Sequence, residues 1–259
     1  MIELLNVSKR FLDNVVLDGV SLEVRDGETV ALLGPSGVGK SVTLKTINGL
    51  LRPDVGDVIV DGLHVPQLGR NQLQQLRARI GYVFQYGALF DSMSVFENIR
   101  LGITDEACAS DDSYCSDRVA ECLRLVNLSP EVAQKMPAEL SGGMKKRVGI
   151  ARAIAGKPKY LLYDEPTSGL DPVNADVIDG LVERLQNELG VTSVVVSHDV
   201  RGSFRVADRV ALLWQAKIRA VGKPEEILAS RDPAVQQFME RDLEMAIIQS
   251  ESATHGPHV

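Results

Sequence analysis

The stretch Thr29-Val-Ala-Leu-Leu-Gly34-Pro-Ser-Gly-Val-Gly-Lys40-Ser41 decides the fold of this chain. Its first five residues suit a buried strand, the next eight have the spacing GxxxxGK[ST], and a helix is predicted over 41–51. Backbone N–H groups of such a loop curl around a phosphate, and the following helix directs its positive end toward it. Strand, loop and helix together predict a phosphate-binding turn in an α/β fold.

A second motif supplies two carboxylates, because Asp164 and Glu165 directly follow the short apolar stretch 160–163. At the end of a buried strand, Asp164 is expected to bind Mg²⁺ together with the Ser41 hydroxyl, while Lys40 neutralises the β- and γ-phosphates. Glu165 is placed to polarise an attacking water. An exposed acidic turn is the alternative, but it does not explain why a second carboxylate follows where hydrolysis needs a base.

Composition and charge exclude several classes of protein. The 259 residues include 28 basic and 35 acidic side chains, a net charge of −7, and 44% are hydrophobic, as in an ordinary globular domain. A net negative charge argues against a general nucleic-acid-binding protein. The longest apolar runs are about five residues, whereas a membrane span needs roughly 20. With no signal peptide visible, we expect a cytosolic chain whose membrane role comes through a partner.

The pattern of elements changes along the chain. Residues 2–33 are predicted to form strands with a hairpin turn at Asp26-Gly27, and 57–61 a further hairpin strand. Helical spacing dominates 86–156, with helices expected over 95–101, 117–126 and 144–155 and an acidic surface loop over 103–116. Strands and helices then alternate again, over 160–163, 173–189, 191–197 and 209–214. This order predicts an α/β core with a parallel sheet, an N-terminal antiparallel β subdomain and an inserted helical subdomain.

Three cysteines, Cys108, Cys115 and Cys122, lie seven residues apart. That spacing does not match a CxxC-type metal site. An odd number of cysteines in a cytosolic chain is typical of free thiols, so we expect all three to be free.

Six motifs occur in an order that resembles an ABC transporter nucleotide-binding domain, a P-loop NTPase fold. They are the phosphate loop, Gln85, Leu140-Ser-Gly-Gly-Met144, Asp164-Glu165, Ser168-Gly-Leu-Asp171 and His198. The resemblance covers essentially the whole chain. It implies a nucleotide-binding domain over 1–232, with its helical subdomain at about 86–156, followed by a C-terminal helix and disordered tail over 233–259.

The resemblance also implies roles for single residues, with ATP and Mg²⁺ as cofactors. Phe11 resembles the aromatic residue that stacks on adenine, for which a flat π-face is suited. Gln85 resembles the residue that reaches Mg²⁺ and the attacking water, and His198 the switch that contacts the γ-phosphate. The expected ATP-binding residues of the loop are Gly34, Pro35, Ser36, Gly37, Val38, Gly39, Lys40, Ser41 and Val42.

The segment over 141–144 implies a dimer. Ser141, Gly142, Gly143 and Met144 look like the signature that caps the γ-phosphate of ATP held by the other protomer. Ser141 is placed as an N-cap, so the helix that follows points its positive end at that phosphate. Asp171 resembles the residue that connects the two sites. The resemblance therefore implies a head-to-tail homodimer with two ATP molecules between the protomers.

Three segments are similar to a narrower group, the ATPases associated with MCE proteins in Mla-type phospholipid transporters. They are 84–98, 140–154, with Met144 where most of the family carry Gln, and 232–238. The likeness implies a lipid-transport ATPase on the cytoplasmic face of the inner membrane, bound to an integral membrane permease and an MCE-domain substrate-binding protein. A small regulatory STAS-type subunit is a further candidate partner, and nucleic acid is not. An importer ATPase for amino acids or another small solute is the alternative.

Two apolar sets are left with two interpretations each. The first, near Gln85, either packs inside the helical subdomain or receives a helix of the permease; it comprises Tyr86, Leu89, Phe90, Met93 and Phe96. The second forms one stripe of a helix between 233 and 250 and either packs on its own core or reaches a partner; it comprises Val235, Phe238, Met239, Leu243, Ala246 and Ile247.

Overall fold

The computed structural model describes residues 1–103 and 112–240 and contains two β-sheets. The first sheet is antiparallel and has the order β2-β1-β4-β5. Its strands are β1 (Ile2–Phe11), β2 (Asn14–Val24), β4 (Val55–Val60) and β5 (Leu63–His64). It corresponds to the predicted N-terminal antiparallel subdomain.

The second sheet has six strands in the order β10-β9-β3-β8-β7-β6. They are β3 (Thr29–Leu33), β6 (Ile80–Val83), β7 (Tyr160–Asp164), β8 (Thr192–Ser197), β9 (Arg209–Trp214) and β10 (Lys217–Gly222). All neighbours pair in parallel except the edge strand β10, which is antiparallel to β9. The carboxyl ends of β3, β8, β7 and β6 therefore meet at one edge, and each is followed directly by predicted site residues.

Eight α-helices are found between residues 1 and 232 of the described ranges. They are α1 (Lys40–Ile47), α2 (Arg70–Ala78), α3 (Val95–Arg100), α4 (Asp112–Leu125), α5 (Gly142–Ile154), α6 (Pro172–Leu189), α7 (Val200–Val206) and α8 (Pro224–Leu228). Residues 233–240 are also helical. Helices α3 to α5 lie between β6 and β7, which is the predicted inserted helical subdomain. No helix in the described part of the chain has the length and apolar composition of a membrane span.

Side chains that alternate along the central strands build separate cores. On β3, Val30 and Leu32 face a core shared with the antiparallel sheet and α1, whereas Ala31 and Leu33 face α7 and the end of the described chain. On β7, Leu161 and Tyr163 face the helical subdomain. Successive residues of a strand point to opposite faces of the sheet, and both faces are buried here. Every residue of these strands is therefore apolar in sequence, or nearly so.

Two predicted features at the ends of elements differ in the structure. Helix α1 ends at Ile47 instead of near residue 51, because Gly49 adopts a left-handed φ of 66° that terminates the helix. The turn at Asp26-Gly27 does not close a hairpin, since β2 and β3 belong to different sheets. The hairpin predicted for 57–61 does form, between β4 and β5.

Part of the predicted loop over 103–116 is helical. Helix α4 begins at Asp112, and its buried face includes Cys115, Val119 and Cys122, which hold it against the helical core. Residues 104–111 lie outside the described residues. The prediction of free thiols is right for Cys122, which is buried, and wrong for Cys115, which is disulfide-bonded. Cys108 lies outside the described residues.

Candidate functional site

The phosphate loop joins β3 to α1, and its glycines are required by its shape. Gly34, Gly37 and Gly39 all have positive φ, at 153°, 80° and 116°. A Cβ atom on Gly34 would lie 2.3 Å from the carbonyl oxygen of Leu213, and one on Gly39 would lie 2.7 Å from that of Val16. The loop therefore keeps its path only with glycine at these positions.

Lys40 begins α1 and folds its side chain back over the loop. Its Nζ donates to the carbonyl oxygens of Gly34 at 2.7 Å and Pro35 at 3.1 Å. It also lies 3.7 Å from Oε1 of Glu165, and only 4% of the side chain is exposed. Burial lowers the pKa of Lys40, partly offset by Glu165. The ammonium thus occupies the center of the loop, where phosphate oxygens can replace the carbonyl acceptors.

Asp164 ends β7 and is held by a hydroxyl on each carboxylate oxygen. Ser41 Oγ donates to Oδ1 at 2.6 Å, and the hydroxyl of Tyr82 donates to Oδ2 at 2.9 Å. Tyr82 lies on β6, the strand beside β7, and its contribution was not predicted from the sequence. Burial raises the pKa of Tyr82, so its hydroxyl remains a neutral donor at physiological pH. The arrangement joins the predicted metal ligand on α1 to the one on β7.

Glu165 is the point on which the other predicted residues converge. His198 Nδ1 lies 3.3 Å from its Oε2, and Gln85 Nε2 donates to the same oxygen at 3.4 Å. The hydrogen bond from His198 lowers the pKa of Glu165, and that same bond raises the pKa of His198. Lys40, His198 and Gln85 therefore all lie against the one carboxylate of Glu165.

Asp171 and the Ser141–Met144 segment are joined through a residue that sequence reasoning missed. Ser141 caps α5 by accepting from the backbone N–H of Met144 at 3.3 Å, as predicted. A Cβ on Gly143 would lie 2.8 Å from Oδ1 of Asn174. The side chain of Asn174 donates to Asp171 at 2.6 Å, and its backbone N–H donates to the same carboxylate at 3.1 Å. The N-termini of α5 and α6 thus pack as one unit.

The Ser141–Met144 segment is separate from the phosphate loop of its own chain. Within the described residues, no hydrogen bond or ion pair joins it to residues 34–41. Ser141 and Gly142 are exposed at the start of α5. Their N-terminal backbone groups are available to a ligand that this chain does not itself hold.

Phe11 ends β1, and the residues before it, Lys9 and Arg10, line a cleft of about 670 Å³ that reaches the phosphate loop. Gly37 and Val38 line one side of the cleft and Val16 another. The ring of Phe11 is partly exposed, and Lys9 Nζ lies 5.6 Å from its centroid. The cleft has the volume of a small-molecule site, next to the loop on which phosphates are expected. Val42 of the predicted set is partly buried and packs against the core under the antiparallel sheet.

Comparison with known proteins agrees with this geometry. Residues 17–168 match the family model described as ABC transporter. The chain is 38% identical over 92% of its length to the intermembrane phospholipid transport system ATP-binding protein MlaF of Haemophilus influenzae, covering 90% of that protein. It is 37% identical to the probable ribonucleotide transport ATP-binding protein mkl of Mycobacterium leprae, covering 92% of this chain and 68% of that one.

A solved structure extends the comparison to the fold. The dimeric post-hydrolysis state of the ATP-binding cassette MJ0796, bound to ADP and Pi, superposes with a TM-score of 0.78 and 33% identity. The match covers 86% of this chain and 99% of that one. The predicted fold class is therefore confirmed. With its motifs, its sheet order and these likenesses, the chain belongs to the ABC transporter family.

Proposed function

We propose that this chain is the ATP-hydrolysing subunit of a transporter that moves phospholipid across the bacterial envelope. The observation that carries the hydrolytic part is the convergence of Lys40, Gln85 and His198 on Glu165, next to the joined pair Ser41 and Asp164. Three separate strands and one helix deliver these groups to the same edge of the sheet. A family ATP-binding domain already implies ATPase activity, and the geometry supports specific roles within it.

The residues around Asp164 fit Mg²⁺. The Ser41 hydroxyl, the Asp164 carboxylate and the side-chain amide of Gln85 are oxygen donors of the kind that Mg²⁺ prefers, and it commonly takes few carboxylates alongside substrate phosphates. No cluster of three or more acidic, histidine or cysteine ligands is found in the described residues, as expected for such a site. Bound there, Mg²⁺ would neutralise charge on the β- and γ-phosphates.

Glu165 is the proposed general base. In this structure the carboxylate of Glu165 interacts with the side chains of Lys40 and His198. The γ-phosphate of ATP offers new acceptors to Lys40 and His198, which frees Glu165 to accept a proton from the attacking water. Before that exchange, the hydrogen bond from His198 lowers the pKa of Glu165, so its carboxylate is ionised at neutral pH, the form that can accept a proton.

The dimer completes each site. ABC ATPase cassettes work as dimers with a membrane permease, and the exposed start of α5 supports Ser141–Met144 as the cap on the partner's ATP. Its backbone N–H groups and helix dipole favour a phosphate. Asp171, which accepts a hydrogen bond from Asn174 close to Gly143 of α5, is proposed to connect the two sites. Phe11 and the adjoining cleft are proposed to hold adenine.

Phospholipid as the transported substrate rests on the named relatives and on the three segments that resemble Mla-type ATPases. We assign an integral membrane permease and an MCE-domain protein as partners, and the cytoplasmic face of the inner membrane as the location. Exposed Phe84, Tyr86 and Phe90 offer an apolar surface for the permease, whereas Leu89 and Phe96 pack against the helical core. A STAS-type subunit remains a prediction from the sequence alone.

The catalytic assignment is tested with two variants that fail at different steps. Glu165→Gln keeps the shape of the side chain but removes the base, so ATP should still bind and drive dimerisation while hydrolysis falls by 100-fold or more. Lys40→Ala should weaken ATP binding itself, because the charge opposite the phosphates is lost. ATPase rates and ATP-dependent sedimentation separate the two. Near-normal turnover by Glu165→Gln would disprove the assignment of the base.

The substrate is tested on the assembled transporter. We expect the chain to co-purify with a permease and an MCE-domain protein, and phospholipid to stimulate ATP hydrolysis by that complex in detergent. The relative named for ribonucleotide transport makes ribonucleotides the second candidate, so they are the matched addition. Stimulation by a ribonucleotide or an amino acid, with none by phospholipid, would replace the lipid assignment.

A further inference from the structure

A lysine in the second turn of α5 lies against the proposed base, and the sequence motifs predicted no role for it. The side chain of Lys146 is 7% exposed, and its Nζ donates to the backbone carbonyl of Glu165 at 3.5 Å. Burial lowers the pKa of Lys146 to about 8, although the Glu165 carboxylate acts in the opposite direction. Fully buried lysines are rare because desolvation is costly. An apolar side chain would fill the same space at less cost.

The peptide that Lys146 contacts determines the direction of the Glu165 side chain. Glu165 has a left-handed φ of 48°, which a non-glycine residue adopts only when its surroundings impose it. Its N–H donates to the carbonyl of Val196 on β8 at 2.9 Å, and its carbonyl also accepts from the N–H of Ser168 at 3.2 Å. Lys146 is the contact in this group that comes from the helical subdomain.

We propose that Lys146 is a positioning residue that ties the alignment of Glu165 to the position of helix α5. The inference rests on the proposed function, in which Glu165 is the base. The same helix follows Ser141, the cap proposed for ATP on the partner subunit, and at Gly143 it packs too closely against Asn174 of α6 to admit a Cβ atom. One end of α5 thus faces one ATP site of the dimer, and Lys146 contacts the base of the other.

This arrangement predicts communication between the two sites. When the start of α5 docks on the partner's ATP, the position of the helix is fixed, and Lys146 holds the Glu165 peptide in the orientation that aims its carboxylate at water. When that docking is absent, α5 is free to shift and the alignment is lost. Hydrolysis at one site then depends on closure at the other.

The test replaces the charge while keeping the volume. Lys146→Met in the purified full-length chain should lower kcat at least tenfold, leave KM for ATP within twofold, and reduce the cooperativity of hydrolysis with respect to ATP. Its unfolding temperature should stay equal or rise, because a buried charge is replaced by a packed apolar chain. Lys146→Gln retains an N–H donor and should recover part of kcat. Lys145→Met, the neighbouring lysine, is the control and should keep wild-type kcat.

A second measurement separates this inference from the base assignment. In a Glu165→Gln background, Lys146→Met should leave ATP-dependent dimerisation unchanged, because Lys146 acts on alignment and not on ATP binding. If Lys146→Met and Lys146→Gln keep kcat and cooperativity while Glu165→Gln is inactive, the role of Lys146 is wrong and the base assignment stands. If Glu165→Gln itself turns over normally, the proposed function fails first.

Discussion

Two tyrosines of β7 are fully buried but differ in what their hydroxyl groups contact. Tyr160 faces the core under the antiparallel sheet, and its hydroxyl donates to the Asp61 carboxylate. Tyr163 faces the helical subdomain, and its hydroxyl has no hydrogen-bond partner among the residues that the structure describes. Burial without a partner raises the pKa of Tyr163. One strand therefore carries both a buried hydroxyl that is hydrogen-bonded and a buried hydroxyl that is not, so the two can be compared.

Replacing each tyrosine by phenylalanine should change stability in opposite directions. Tyr163→Phe removes a desolvated hydroxyl that makes no bond, so the free energy of unfolding should stay equal or rise by about 1 kcal/mol. Tyr160→Phe leaves Asp61 without one of its donors and should lower it by about 1 to 3 kcal/mol. Urea unfolding of the two variants is the measurement. A clear loss of stability in Tyr163→Phe would show that its hydroxyl has a partner.

At the scale of single residues, motifs in the sequence predicted most members of the candidate site but not what holds them. Lys40, Ser41, Asp164 and Glu165 follow from spacing and from the chemistry of phosphates. Tyr82 and Lys146 do not, because each reaches the site from a separate element of the fold. Asn174 does not either, because it lies three residues beyond Asp171, where the motif ends. Tyr82 contacts a residue 82 positions away. Only the strand order, which sequence spacing does not reveal, brings such pairs together.

At the scale of elements, the strongly apolar strands and the glycine-rich loop were predicted with nearly correct bounds, whereas the end of α1, the start of α4 and the strand pairing at Asp26-Gly27 were not. The turn at Asp26-Gly27 has the composition of a hairpin, yet the chain uses it to pass from one sheet to the other. Residues 112–116 are polar, but they continue a helix whose buried face lies mainly beyond them. Local composition predicts where turns and polar segments lie, whereas tertiary packing determines which strands pair and how far a helix extends.

The joint between α6 and α7 contains a buried carboxyl group. Asp179 on α6 accepts from Arg205 of α7 at 2.9 Å, and Arg205 also donates to exposed Asp176 at 2.8 Å. A Cβ on Gly202 would lie 2.4 Å from Asp179 Oδ2, so the two helices meet closely. Burial raises the pKa of Asp179 to about 6 despite Arg205. This joint supports α7, which follows His198.

Asp179 should make stability depend on pH. Its folded-state pKa lies above the ordinary value of 3.8, so the folded chain holds the proton longer than the unfolded chain does. Stability from this group is therefore complete below about pH 4 and lost as pH rises through 6. Asp179→Asn lacks this pH-dependent contribution to the free energy of unfolding. The variant should be more stable than wild type at pH 7 by roughly 2 to 3 kcal/mol.

Unfolding free energies between pH 4 and pH 7.5 provide the measurement. Asp176→Asn is the control, because it removes a charge next to the same arginine while the buried carboxyl group remains, so the wild-type slope should persist. If Asp179→Asn and wild type lose stability equally over this range, the buried carboxyl group is not the source of the slope.

At the scale of the whole molecule, the end of the described chain packs against the central sheet in a third hydrophobic cluster. In the helical segment 233–240, Val235 is 1% exposed and Phe238 is 6% exposed, and both pack in one cluster with Leu33 of β3 and Leu212 of β9. Of the two interpretations of the C-terminal stripe, packing on its own core is right for these residues. Leu243, Ala246 and Ile247 lie outside the described residues, so contact with a partner stays a prediction for them.

Two truncations distinguish folding from assembly at this end of the chain. Truncation after Arg231 removes Val235 and Phe238 and uncovers the outer face of β3, so the free energy of unfolding should fall by roughly 3 to 6 kcal/mol. Truncation after Glu240 keeps both side chains and should unfold at the wild-type temperature. Each is also made in the Glu165→Gln background, where sedimentation with ATP reports dimerisation. Weaker assembly by the longer form at unchanged stability would assign residues 241–259 to a partner contact, and wild-type stability of the shorter form would contradict the packing of 233–240.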